Sequence, residues 1–220
     1  MSIESPEKTI EQKKEEKVFE LFDLNEQQKL ELKEEIEKHK GLVRVFIHPI
    51  AKLKSGKILK NKERVHDILS RTIFSEKAPP IVVFENAGAI EGWKKSIEKH
   101  TQITKNIYIV STIPDYPYPI VPGKPEPIKD KDGSLQDKDD NYIEEGVIMF
   151  IKFLKDMGVE KILVGGTSLE IIHDQLNRCV GNFIRAMKDY GDIDIKLSLG
   201  TAPDNKQEIK KSRPDLVEGL

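Results

Sequence analysis

Two glycines and two hydroxyl residues, Gly165-Gly166-Thr167-Ser168, close the apolar run Lys161-Ile162-Leu163-Val164 and lead into Leu169-Glu170. Glycine lets a chain turn tightly and approach a ligand. The bare N–H groups of a helix starting here would face an anion, with the positive end of the helix dipole behind them. A phosphate or carboxylate is the ligand this segment would take, held by Gly165, Gly166, Thr167 and Ser168. A structural reading competes, because Thr167 and Glu170 have the spacing of a capping box, which satisfies the same donors internally. No Gly-Lys-Ser/Thr follows the glycines and no G-x-G-x-x-G occurs in the chain, so neither a P-loop nor a dinucleotide fingerprint is expected, and no cofactor with them.

The second chemical candidate is Cys179, the chain's single cysteine. One thiol can form neither an internal disulfide nor a multi-thiolate metal site, which agrees with a reducing, cytoplasmic setting. The segment runs Lys161 to Val164, then the glycine pair, then Cys179-Val180 heading a helix toward Gly191 and a further strand. In that order it resembles the cysteine segment of the isochorismatase-like cysteine hydrolases, over the last third of the chain. The resemblance implies a Cys-Val pair opening a helix after a strand that ends in glycine, with the helix dipole favouring a thiolate nucleophile. Two family features are missing. The aspartate expected near the end of the first strand is replaced in Val45-Phe46-Ile47-His48-Pro49, and no lysine lies between Ile107 and Asp115. Two outcomes stay open. A helix continuous from Thr167 would set Cys179 in its middle, beside Leu176 and Phe183, as an inert core thiol. An insertion over Leu169 to Arg178, with a new helix at Cys179, would make it a nucleophile with His48 or Glu85 as base.

These residues need a frame, and the apolar pattern supplies one. Leu42 to Ile50, Ile81 to Phe84, Ile107 to Ile113, Lys161 to Val164 and Ile193 to Leu199 are short β-branched runs stopped by proline or glycine, each expected to be a strand. Between them lie helical stripes. Asn25 and Gln28 have capping-box spacing before a helix over 26–40. Val65, Ile68, Leu69, Ile73 and Phe74 predict a helix near 62–75, and Ile90, Trp93 and Ile97 a short one. Ile143, Val147, Phe150, Leu154 and Met157 predict another, as do Leu169, Ile172, Leu176, Val180, Phe183 and Met187. Strand followed by helix four times over implies right-handed crossovers, hence an α/β three-layer sandwich: a mainly parallel sheet of about five strands with helices on both faces.

Open parallel sheets bind ligands beyond the carboxyl ends of their strands. That rim holds His48; Glu85 and Asn86; Ser111, Thr112 and Asp115; Gly165 to Ser168; and Thr201 and Asp204. Cys179, His48, Glu85 and Asp115 are the catalytic candidates, and Asn86 joins the glycine segment as ligand-binding. The bland alternative is that each merely caps a turn, so only their clustering would carry weight.

Residues 1–24 read as a charged, disordered tail, 25–203 as one α/β domain, and 204–220 as a polar tail. The proline-rich and then Asp/Lys-rich stretch 114–141 reads as a long loop, a semi-rigid flap over the rim. Its Asp130-Lys131-Asp132-Gly133 is out of register for an EF-hand and reads as a solvated acidic loop. His48, His66, His100 and His173 lack paired ligand spacing, so no metal is expected, and Trp93 reads as core. With 36 basic against 38 acidic residues, no nucleic-acid partner is expected. No apolar run approaches the ~18 residues of a membrane span, and self-association is left open. The expected function is small-molecule binding, with hydrolysis as the chemistry of an enzyme built this way. A noncatalytic interaction scaffold is the alternative, which should scatter the polar residues along a flat edge.

Overall fold

A computed structural model describes residues 17–49, 69–86, 91–95, 105–113, 116–125, 140–166, 170–172, 175–198 and 213–217, with isolated positions 127, 209 and 211. The predicted flap beyond 127, Asp115, Thr167, Ser168, Thr201, Asp204 and the Asp130–Gly133 segment lie outside the described residues.

Six strands form one parallel sheet: β1 (Val18–Glu20), β2 (Leu42–Ile47), β3 (Ile81–Asn86), β4 (Ile107–Thr112), β5 (Lys161–Gly166) and, after a separate hairpin, β8 (Asp194–Leu197). The hairpin strands are β6 (Glu170–Ile172) and β7 (Gln175–Asn177). Across the sheet the order is β1-β4-β3-β2-β5-β8. Val45 pairs with both Val82 and Val164, so β2 is the centre from which the chain builds outward in both directions.

Alternation along these strands makes two apolar faces. Val43, Val45, Ile47, Val82, Phe84, Tyr108, Val110, Ile162, Val164, Ile195 and Leu197 are buried on one. Helices α1 (Glu26–Lys38), α2 (Asp140–Asp156) and α3 (Arg178–Tyr190) cover it with Leu32, Ile36, Val147, Phe150, Val180 and Phe183. Phe46, Ile81, Val83, Ile107 and Ile109 are buried on the other, beneath Leu69 and Ile73 of helical residues 69–73 and Trp93 of 91–95. The crossovers to β3 and β4 therefore use one face, and those to β5 and β8 the other. Crossovers of one hand change face when the chain reverses its direction across the sheet. The expected three-layer α/β architecture is present, with all six strands parallel.

Three features depart from expectation. The sixth strand, β1, comes from the stretch read as tail: Val18 is buried, and residues 18–20 pair in parallel with Ile107, Tyr108 and Ile109. In the C-terminal stretch read as polar tail, Ile209 and Leu216 are fully buried and Val217 bridges to Leu197. The third concerns the helix expected to run unbroken from Thr167. Glu170, Ile171 and Ile172 instead pair antiparallel with Asn177, Leu176 and Gln175, and α3 begins only at Arg178. Two short runs with only His173 and Asp174 between them can close a hairpin, and Ile171-Ile172 are β-branched. The three-and-four spacing of Leu169, Ile172 and Leu176 imitated a helix.

Candidate functional site

All six parallel strands send their carboxyl ends to one edge, and the alternation that makes two apolar faces also divides the polar residues there. Asn86 and Thr112 continue the face of Phe84 and Val110. Glu85, Ser111 and Glu20 continue the face of Val83, Ile109 and Val18.

His48 joins the first group through an unusual backbone. Strand alternation would send position 48 to the face of Phe46, but His48 has a φ of 46°, a left-handed conformation that a non-glycine residue adopts at a cost of order 1–3 kcal/mol. Its own N–H still donates to the Phe84 carbonyl at 2.8 Å. Its ring reaches across β3 to β4, where Nε2 lies 3.1 Å from Thr112 Oγ1. The Thr112 hydroxyl donates onward to Asn86 Oδ1 at 3.5 Å. His48 is 4% exposed and Thr112 wholly buried. Three polar side chains at the tips of three adjacent strands thus form one chain at the rim, buried at His48 and Thr112 and half-buried at Asn86.

On the opposite face, Glu85 is buried and accepts from the neighbouring Asn86 N–H at 3.2 Å. Ser111, paired in register with Glu85, donates to the two Glu20 carboxylate oxygens at 3.2 and 3.1 Å. Burial pushes the Glu20 carboxyl above its ordinary range, Ser111 partly offsets this, Asp23 adds to it and Lys94 opposes it. Sequence reading missed Glu20 because it lies in the presumed tail, although Val18-Phe19 and Leu21-Phe22 flank it with the apolar groups of an ordered segment.

A raised folded-state pKa means that the folded chain holds this proton to higher pH than the unfolded chain does. The stability contributed by that proton is present below the unfolded carboxylate range and is lost as pH rises through the folded value. We therefore expect Glu20→Gln, which still accepts from Ser111, to melt above wild type at neutral pH. The difference should shrink on acidification. A Tm difference constant with pH would contradict this origin of the shift.

The last cluster surrounds β5 and α3. Ile47 pairs with Gly166 in the β2–β5 ladder. A Cβ added at Gly166 would lie 2.5 Å from the Ile47 carbonyl oxygen and 2.7 Å from Val180 Cγ2. This glycine is needed for the close seating of α3 on the strand pair, a packing reason for the residue expected to serve a ligand. Cys179 sits in the first turn of α3, half-buried against the core. It is neither the mid-helix residue nor the fully buried thiol that an unbroken helix would have made. It lies next to Val180, and His48 lies next to Ile47, so both flank the place where β2, β5 and α3 meet.

The chain after β4 closes one side of this region. Ile113 N–H donates to the Tyr118 carbonyl and Ile120 N–H to the Ser111 carbonyl, at 3.0 and 2.8 Å, so residues 118–120 run antiparallel to the end of β4 where β1 has already stopped. Val121 N–H donates to the Tyr142 hydroxyl at 2.9 Å, and Gly146 of α2 leaves room for the Pro119 carbonyl. The start of the predicted flap is a strap fixed to the sheet and to α2, because the exposed edge of β4 offers its backbone groups partners. Tyr116 and Tyr118 stack with ring centres 6.2 Å apart. Burial raises the Tyr118 phenol, Arg185 opposes the rise, and Cys179 adds to it, which places Tyr118 in the electrostatic reach of both α3 side chains.

The structure therefore joins His48, Asn86 and Thr112 directly and sets Cys179 on the same rim, while Glu85 faces the other side of the sheet. Trp93 is core, as expected from its stripe. Among the described residues no group of three or more His, Cys, Asp or Glu could hold a metal ion, and no helix is long and apolar enough to cross a membrane. The chain matches no family model, no curated protein and no solved structure.

Proposed function

We propose that the chain binds a small molecule at the carboxyl rim of its sheet, at the junction of β2 and β5. The observation that carries this is the strand order. Numbering the five sheet strands that follow β1 along the chain gives 3-2-1-4-5, a Rossmann-like order in which the connections leave the first and fourth strands in opposite directions and open a crevice between their ends. Here those strands are β2 and β5, with His48 at one tip and Gly165-Gly166 at the other. A largely buried His48–Thr112–Asn86 chain at such a crevice favours a pocket over a noncatalytic scaffold edge, where polar side chains would stand separately in water.

A hydrolase reading has one observation in its favour. Because α3 starts at Arg178, Cys179 lies in a first turn, at the positive end of the helix dipole, as in the cysteine hydrolases that the segment resembles. Cys179 is then the nucleophile and His48 the proton acceptor, in a cytoplasmic protein. Glu85, on the far face, takes no part.

Iodoacetamide tests both statements on the full chain, since its one cysteine makes labelling unambiguous. Near neutral pH the native protein is expected to react roughly tenfold faster than an unactivated thiol, as a first-turn thiolate should. Millimolar inorganic phosphate, as a probe anion, should slow the reaction. Labelling no faster than an ordinary thiol would overturn the nucleophile. Rapid labelling untouched by phosphate would overturn an anion site next to it.

A further inference from the structure

We infer that Thr112 and Asn86 fix the tautomer of His48, so that the ring carries its proton on Nε2 and its lone pair on Nδ1. The Thr112 hydroxyl has one hydrogen, and Asn86 Oδ1 lies 3.5 Å away as an acceptor for it. An amide oxygen only accepts. With that hydrogen committed, Thr112 can meet His48 Nε2, 3.1 Å away, only as an acceptor. Nε2 must then be the N–H, and in a neutral imidazole the lone pair falls to the other nitrogen.

Burial gives this preference its strength. Thr112 is 0% and His48 4% exposed, so water cannot readily replace a lost partner, and a mismatched donor or acceptor costs the full desolvation of that group. The left-handed backbone at His48 sets the direction from which the ring enters and holds Nε2 toward β4. Thr112 and Asn86 are thus positioning residues for the His48 ring. Use of that ring as a proton acceptor rests on the pocket reading above; the tautomer itself does not.

The test is nitrogen NMR of the full chain labelled with 15N-histidine, at about pH 8, above the ordinary imidazole range near 6.5. Protonated and bare ring nitrogens resonate far apart, and couplings to the ring hydrogens identify each atom. The chain has five histidines, so the signals of His48 are assigned by their loss in His48→Asn. Expected in wild type are a protonated Nε2 and a bare Nδ1, retained in Thr112→Ser. Asn86→Leu should free the hydroxyl to donate to the ring and move the proton to Nδ1. A protonated Nδ1 in wild type, which arises if Asn86 turns its NH2 toward Thr112, overturns the inference. So does a folded Asn86→Leu with the tautomer unchanged. Should that variant not fold, the wild-type and Thr112→Ser spectra decide alone. A slow-reacting Cys179 beside an intact Nε2–H signal would count against the hydrolase and leave the tautomer standing.

Discussion

Phe84→Ala is expected to cost about 3–5 kcal/mol of stability, the usual range for truncating a buried aromatic residue. Phe84 is fully buried on β3, at the centre of the face covered by α2 and α3. Its ring meets Phe150 of α2 edge-on at 4.9 Å and Phe183 of α3 at 5.0 Å. Such pairs add about 0.5–1.5 kcal/mol beyond the area they bury. Alanine would remove both contacts and leave a void between two helices that belong to different crossovers, so collapse of one helix into the gap would strain the seating of the other. For a chain of this length the loss amounts to a fall in Tm of roughly 6–20 °C, read by calorimetry or circular dichroism. A fall of only a degree or two would show that the three rings do not share a rigid core.

The second large effect is expected at Gly166, where a single methyl group should be as damaging as a lost side chain. The added Cβ would press on the Ile47 carbonyl oxygen, which is backbone, and on Val180 at the start of α3. Neither can move alone, because Ile47 and Gly166 are partners in the central ladder. Overpacking costs about 1–3 kcal/mol, and Gly166→Ala should fall at the upper end because its nearest neighbour is not a flexible side chain. The change should also shift α3, altering the iodoacetamide reactivity of Cys179 in whatever protein still folds. Gly123, with no atom within 4 Å of an added Cβ but a φ of 76°, is a useful contrast, since any cost there comes from backbone strain alone. An unperturbed melting temperature and unchanged thiol reactivity in Gly166→Ala would remove the packing role assigned to this glycine.

Most of the frame was legible because the long strands are continuous β-branched runs covered on both faces, a pattern that chain-local chemistry imposes. Ile81-Val82-Val83-Phe84 and Lys161-Ile162-Leu163-Val164 announced themselves in this way, as did the capping box at Asn25, whose side chain accepts from Gln28 N–H while Gln28 answers to Asn25 N–H, both at 2.9 Å. The three-residue strand β1 did not, since its burial depends on β4, whose residues pair with it 89 positions later, Val18 with Ile107 and Glu20 with Ile109. The β6–β7 hairpin was hidden because Leu169, Ile172 and Leu176 satisfy helical spacing as well as they satisfy pairing. For the site, the rim could be enumerated, but not which of its members meet. The reach of His48 to Thr112 depends on a left-handed backbone at a histidine, and the separation of Glu85 from Asn86 depends on which face each strand presents, a property of the assembled sheet. Cys179 shows the same limit from the other side: its exposure turns on where α3 begins, and that is settled by the hairpin before it.

The borders of the sheet have a consequence for how these molecules behave in a crowd. One border is the three-residue β1, continued by the strap at 118–120; the other is the four-residue β8, over which Val217 docks on Leu197. Long bare borders recruit strands from neighbouring chains and seed cross-β growth. Interrupted margins this short deny an incoming chain a continuous template, which protects a very apolar parallel core from polymerising through its flanks.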